Sequence, residues 1–427
     1  GIAANRDGEI MCKAAEDLGF DNDICGYARI SLAYAAGKRA ARKFDPETLE
    51  FIIDPKSGKP MKDENGKVII DPETGKPKKD PKTQVPYTVL DDIFEIEALP
   101  ETTEKEIAYK NFRREAIKPY RQMRIPQPDF VLCCNNICNC MTKWYENIAR
   151  MCNIPLIMID IPYNNTVDVA DTNVAYVRAQ FDNAIHQLEK LTGKKFDQKK
   201  FEDACAHANR TAKAWLKVCD YLQYKPAPYS GFDLFNHMAD VVTARGKVQA
   251  AEAFELLDKD LEAAVKEGKS TTPFPEQYRV MFEGIPCWPK LPNLFKPLKA
   301  NGVNVTAVVY APAFGFVYNN IDEMARAYYK APNSVCIEQG VDWREGICRN
   351  NKVDGVLVHY NRSCKPWSGY MAEMQRRFTK DLGVPCAGFD GDQADPRNFN
   401  EAQYETRVQG LVEAMEANKA AKEGAEK

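Results

Sequence analysis

"VDGVLVHYNRSCKPWSGYMAEMQRRFTKDLGVPCAGFDGD", residues 353–392, repeats the plan of "PDFVLCCNNICNCMTKWYENIARMCNIPLIMIDIPYN", residues 128–164. Each copy opens with Asp and a short apolar strand, then reaches Asn-x-x-Cys, "NNIC" at Cys138 and "NRSC" at Cys364. Each continues into a helical stretch, then Ile/Val-Pro and a second apolar strand ending at Asp160 or Asp390. Strand–helix–strand is the building block of parallel α/β sheets. In such sheets ligands bind beyond the carboxyl ends of the strands, where both cysteines fall. Two units facing each other would bring Cys138 and Cys364 to one cleft.

Around these units the texture changes in blocks. Residues 1–43 read as helical, with Ala-rich runs such as "SLAYAAGKRAARK". Between 45 and 86, "DPKSGKP" and "DPETGKP" are near-copies flanking "DENGK", which predicts a solvated β-hairpin insertion. "TGKP" lacks the spacing of a phosphate-binding loop. Residues 166–275 carry helical periodicity, as in "RTAKAWLKVCDYL". The expected fold is therefore α/β: two Rossmann-like parallel-sheet domains, 1–165 (with the insertion 45–86) and 276–427, joined by a helical region at 166–275.

At 427 residues, 44% hydrophobic, 28% charged and with net charge −3, the chain has a globular composition. That charge argues against nucleic acid or an anionic membrane as the main partner. No apolar run reaches the roughly 18 residues of a membrane span, and no basic-then-apolar leader opens the chain. A cytoplasmic location is expected.

Fourteen cysteines in such a chain read as reduced thiols rather than a disulfide framework. Cys205, Cys219, Cys336 and Cys348 read as small core residues. Cys138 and Cys364, at strand-to-helix turns, lie where helix amides favour a thiolate, hence a metal ligand or a nucleophile. An iron–sulfur cluster needs three or four thiolates from converging loops. Cys25, in "DNDICGYAR", is the third candidate. Cys134 competes with Cys138, and the repeat favours Cys138. A structural zinc site fits less well: Cys134 and Cys138 are spaced C-x₃-C, but no second pair answers them. A Cys–His hydrolase would use His359, five residues before Cys364.

"DICGYAR", "CCNNICNCMTKWYE", "NIPLIMIDIPYN", "QYKPAPYSGFDLFNHMA", "VLVHYNRSCKPW" and "GFDGDQADPRNF" resemble the 2-hydroxyacyl-CoA dehydratase and benzoyl-CoA reductase family. The resemblance runs from Gly1 almost to the end. It implies a cluster-bearing lyase subunit paired with a homologous beta subunit, on which flavin is a further expectation. A [4Fe–4S] cluster would be held by Cys25, Cys138 and Cys364, leaving one iron open. A separate ATP-dependent iron–sulfur activator would supply the electron for a ketyl radical mechanism, in anaerobic amino-acid fermentation. The substrate would be a 2-hydroxyacyl-CoA, with (R)-2-hydroxyglutaryl-CoA, dehydrated to glutaconyl-CoA, the expected member. The alternative is an electron-relay or scaffold subunit of the same complex.

Asn135, Asn136, Asn361 and Arg362 flank the candidate ligands, either as hydrogen-bond donors or as helix caps. Asp390 and Asp392 read as cleft or turn residues. Trp144 and Tyr145 read as core. The family carries a Trp-Ser motif and an acidic residue upstream of Gly1, while Trp367–Ser368 belongs to another place. No general base is assigned.

Overall fold

A computed structural model describes residues 8–117 and 128–425. The first helices are α1 (Gly8–Asp17) and α2 (Gly26–Ala35), which pack on each other through Met11, Ala15, Ile30 and Ala33. The helical reading of 1–43 holds only to Ala35; residues 1–7 lie outside the described residues. Gly37, at φ +83°, turns the chain into β1 (Lys38–Arg42), which pairs antiparallel with β2 (Thr88–Asp92). Ala and Arg favour helix. Here Ala40 and Ala41 are buried, and the ladder to a strand some fifty residues on decides the conformation.

The insertion leaves from the end of β1 and returns at β2. Bridges Ile53↔Pro86, Pro60↔Lys79, Lys62↔Val68 and Ile70↔Pro77 make it a stack of antiparallel hairpins. Asn65-Gly66 turns the inner one, with Gly66 at φ +78°. Prolines at 55, 60, 72, 77, 81 and 86 remove ladder donors, so pairing stays at isolated bridges. Two short helices follow, α3 (Ile93–Ala98) and α4 (Glu104–Ala116), the second opened by a Thr103–Glu106 capping box.

Both repeated units form. In the first, β3 (Val131–Cys134) leads through α5 (Asn139–Cys152) to β4 (Leu156–Ile159), parallel to β3 in the register Val131↔Leu156. Then come α6 (Asp171–Thr192), α7 (Gln198–Asp220), α8 (Gly231–Thr243) and α9 (Val248–Lys266). The second α/β stretch comprises β5 (Tyr278–Glu283), α10 (Leu291–Ala300), β6 (Val303–Val308), α11 (Ile321–Tyr328), α12 (Ile337–Asn350) and β7 (Gly355–Asn361). It ends with α13 (Lys365–Ser368), α14 (Met371–Arg377), β8 (Cys386–Gly391) and α15 (Glu401–Ala425). The single helix expected after Cys364 is broken, with Pro366 near its start and Gly369 closing α13.

Strands β6-β5-β7-β8 form one parallel sheet in that order. Period-two alternation sends Val280, Phe282, Leu357 and Phe389 to one face, under α7, α8, α10 and α15. Met281, Val356 and Val358 go to the other face, under α12 and α14. A sheet covered on both faces explains why its strands read as continuous apolar runs. The chain steps from β5 to β6 and then to β7 on β5's other side, so the switch point lies between β5 and β7. Cys205, Cys219, Cys336 and Cys348 are all buried, as expected. Among the described residues no helix is long and apolar enough to cross a membrane.

Candidate metal centre

Cys25, Cys138 and Cys364 hold one position in three different elements: each is the N-cap of a helix, α2, α5 and α13 respectively. None closes a side-chain cap bond of the Ser or Asp kind. Instead the amides of Ala28 and Tyr27 face the Cys25 sulfur, that of Met141 faces Cys138, and that of Trp367 faces Cys364. Free helix N-terminal amides stabilise negative charge, here on sulfur. Gly26 is required at the first of these turns, because a Cβ there would lie 2.6 Å from Asp392 Oδ1.

The three starts converge at the carboxyl end of the four-stranded sheet, beside its switch point. Cys25 and Cys140 both bear electrostatically on Cys364, and the backbone N–H of Cys25 faces the Cys140 sulfur. A hydrogen bond joins the sulfurs of Cys138 and Cys140; it holds Cys140 below the usual thiol range and drives Cys138 well up. Burial pushes Cys25 up to about 11 and Cys364 to about 12. Without a cation most of these thiols stay protonated, and a bound metal would draw the protons off. Among the described residues no three of His, Cys, Asp or Glu stand close enough to hold a single ion. A soft, all-sulfur donor set reached from separate helix starts suits a wider metal–sulfur group.

Side chains tie the starts together. Ser363 Oγ accepts from the Gly26 amide at 3.1 Å, and Gln393 Nε2 donates to the Cys25 sulfur at 3.1 Å. Arg29, fully buried, bonds Asp395 at 3.0 Å and Glu16 at 2.7 Å, which fixes α2 against the loop after β8. Under α13, Glu283 Oε1 at the end of β5 accepts from Trp367 Nε1 at 3.0 Å and Arg344 Nε at 2.9 Å. Tyr27, Tyr310 and Trp367 lie beside the thiols, with Trp288 donating to Tyr27 and Tyr310 meeting Trp367 edge-on at 5.7 Å. Burial raises both tyrosines well above their ordinary range, so they stay neutral. Beside the Cys364 loop opens a cavity of about 540 Å³ lined by Asn361, Arg362, Lys365, Asp390 and Asn398.

A family model described as 2-hydroxyglutaryl-CoA dehydratase, D-component, matches residues 101–415. The chain is 74% identical over 418 residues to the (R)-2-hydroxyglutaryl-CoA dehydratase subunit alpha of Acidaminococcus fermentans, covering 98% of this chain and 86% of that one. The chain belongs to the 2-hydroxyglutaryl-CoA dehydratase family. It is a dehydratase component, hence a hydro-lyase. It is also 43% identical over 420 residues to the (R)-phenyllactyl-CoA dehydratase alpha subunit of Clostridium sporogenes, covering 98% of this chain and 84% of that one. A benzoyl-CoA reductase component of Thauera aromatica is more distant, at 24% over 311 residues, or 68% of this chain and 71% of that one.

Within this dehydratase-family chain, Cys134 turns away from the thiol group. Its sulfur donates to Asn136 Oδ1 at 3.1 Å and packs beside Ile157 and Ile159. Asn135 caps nothing: it donates to Asp160 at 2.5 Å and accepts from the Ile161 amide at 2.7 Å, tying the ends of β3 and β4. Asn136 donates to the Tyr328 carbonyl, and Arg362 pairs with Asp23. Asn361 is fully buried with both amide atoms unpartnered. Asp392 serves the turn, its Oδ1 accepting from the amides of Ala394 and Asp395. Trp144 and Tyr145 are half-buried and meet at a 45° tilt, ring centres 5.0 Å apart.

His359 faces elsewhere too. Its Nδ1 bonds the Ile285 carbonyl at 2.5 Å, and its Nε2 lies 3.4 Å from Cys287. Burial lowers it to about 4 and pushes Cys287 well up, so this pair stays neutral and Cys364 gains no base from it. Sequence reasoning passed over Cys140, Ser363 and Gln393. The tight C-x-C of Cys138 and Cys140 is a usable signal, but the repeat masks it because Pro366 stands opposite Cys140 in the second copy.

Proposed function

We propose that this chain is the cluster-bearing subunit of a two-subunit 2-hydroxyacyl-CoA dehydratase, with Cys25, Cys138 and Cys364 as the protein ligands of a [4Fe–4S] cluster. The observation that carries the reading is three cysteines from distant segments, each at a helix N-cap, meeting at the switch point of a parallel sheet. The donor set fits: soft sulfurs, amides aimed at them, and aromatic rings beside them. When bound, such a cluster with one open iron supplies a Lewis-acidic site and a single electron. Supplied to the thioester carbonyl, that electron would give the ketyl chemistry by which a 2-hydroxyl can leave. Acid–base catalysis alone contributes roughly 10²–10⁴-fold, too little to remove the unactivated β-proton.

The chain's own groups do the rest. Helix amides orient the thiolates, Trp367 covers the Cys364 loop, and Tyr27 and Tyr310 stay protonated as hydrogen-bond donors. Arg362 and Lys365 give the cavity beside Cys364 the cations that an acyl-CoA's phosphates require. The relative at 74% identity is the subunit alpha of an (R)-2-hydroxyglutaryl-CoA dehydratase, which supports that acyl-CoA as substrate and a partner subunit; a homologous beta subunit and an ATP-dependent activator as the electron source complete the proposal.

The test is iron and acid-labile sulfide on anaerobically purified protein, wild type beside Cys25→Ala, Cys138→Ala, Cys364→Ala and the control Cys134→Ala. About four of each per chain, lost in the first three variants and kept in the control, supports the reading. Iron retained in those three would sink it. Turnover of (R)-2-hydroxyglutaryl-CoA by the assembled complex, abolished by Cys364→Ala, separates a catalytic subunit from an electron relay.

A further inference from the structure

The loop Ala331–Cys336, between α11 and α12, belongs to neither repeated unit, yet it touches both. Asn333 Nδ2 donates to the carbonyl of Ile137 at 2.8 Å, one residue before Cys138. Asn333 Oδ1 accepts from Tyr370 Oη at 3.3 Å, at the junction of α13 and α14 just beyond Cys364. The carboxamide thus spans from one thiol loop to the other. Its own seat is fixed: Ser334 Oγ donates to the Asn136 carbonyl, Asn164 donates its amide to the Ser334 carbonyl at 3.0 Å, and Tyr163 Oη donates to the Val335 carbonyl at 3.0 Å. On the other side Tyr370 lies under the Arg344 guanidinium, 5.8 Å from ring centre to Cζ, and Arg344 is paired with buried Glu283.

We infer that Asn333 is a positioning residue: a strut that sets the spacing of the Cys138 and Cys364 loops. An amide is the group for this task, because one end must donate and the other accept. The use of that spacing for a cluster rests on the function proposed above; the strut itself rests on the hydrogen bonds alone. Asp at 333 keeps an acceptor for Tyr370 but sets a carboxylate against the Ile137 carbonyl, freeing the Cys138 loop. Tyr370→Phe cuts the other end, along with the hydroxyl's contact to Arg344, and leaves the bond to Ile137 in place.

Two readouts test it. In iron-free protein, iodoacetamide labelling followed site by site should run roughly fivefold faster or more at Cys138 in Asn333→Asp, as expected for one lost hydrogen bond. Tyr370→Phe should leave that rate unchanged, and buried Cys348 should stay unreactive in both variants. In the iron-loaded protein, both variants should hold wild-type iron but shift the cluster's EPR g-values. Unchanged labelling in Asn333→Asp would overturn the strut, as would labelling that rises at Cys348 as well, because that would mean general loosening. Wild-type protein without iron would count against the proposed function, while the labelling comparison would still decide the strut.

Discussion

His359 is an imidazole kept neutral by burial, its donor spent on a carbonyl and its ring stacked on Phe389 at 4.8 Å. Its pKa falls from 6.5 to about 4 on folding. Between those values the unfolded chain binds a proton that the folded one refuses. Stability is therefore fully present above pH 6.5 and drains away as pH falls towards 4, by roughly 3 kcal/mol in all. His359→Asn keeps a donor for the Ile285 carbonyl but cannot titrate. Urea unfolding at pH 7 and pH 5 should show the wild type losing about 2 kcal/mol more than the variant over that interval; equal losses would refute the assignment. At this scale the sequence singled out the three cysteines as candidates, two through the repeat and Cys25 through its place before Gly26 and the family resemblance; that each caps a helix is visible only in the structure. The sequence could not announce Ser363 or Gln393, whose partners lie more than 330 residues away.

Among the elements, α13 is the most exposed to a single change. It is four residues long, too short to hold itself in place, and its first residue follows Cys364. It stays in place because Glu283, fully buried at the end of β5, holds the Trp367 indole while pairing with buried Arg344. Glu283→Leu would leave that guanidinium buried without its partner, at a cost of about 3–5 kcal/mol. The urea midpoint measures it, and a loss below about 1 kcal/mol would show that the pair is not what anchors α13. The strands of both units and the helix of the first were legible because their apolar runs and breaks follow simple periods, while Pro366 and Gly369 break the helix of the second. Strand β1 was not. Ala-rich sequence prefers helix, and the ladder that overrules this preference comes from β2, on the far side of the insertion.

At the scale of the molecule, the insertion is an appendage rather than part of the frame. Ile53, Ile70, Val85 and Tyr87 are exposed along it, while Phe44 and Phe51 at its root pack into a small core with Val89. Excising residues 54–84 and joining Ile53 to Val85 through Asn-Gly should move the unfolding free energy by less than about 1 kcal/mol, since loop length costs little. A cooperative loss of the near-UV circular dichroism would contradict this. The α/β class and the hairpin character were readable from residue order. How the cores are shared was not: α7, α8 and α9 pack into the same core as the four-stranded sheet.

The span of the thiol site also bears on how the protein is made. Gly26 and Ser363, whose hydrogen bond brings two of the thiols together, are 337 residues apart. At about 5–20 residues per second, a ribosome needs roughly 20 to 70 seconds to go from one to the other. Throughout that interval Cys25 waits without Cys364, and Cys138 and Cys140 are made long before the loop that completes the set. On the proposed function the ligand set is complete only once Cys364 has been made, so a cluster would be seated late, on a chain already past that residue.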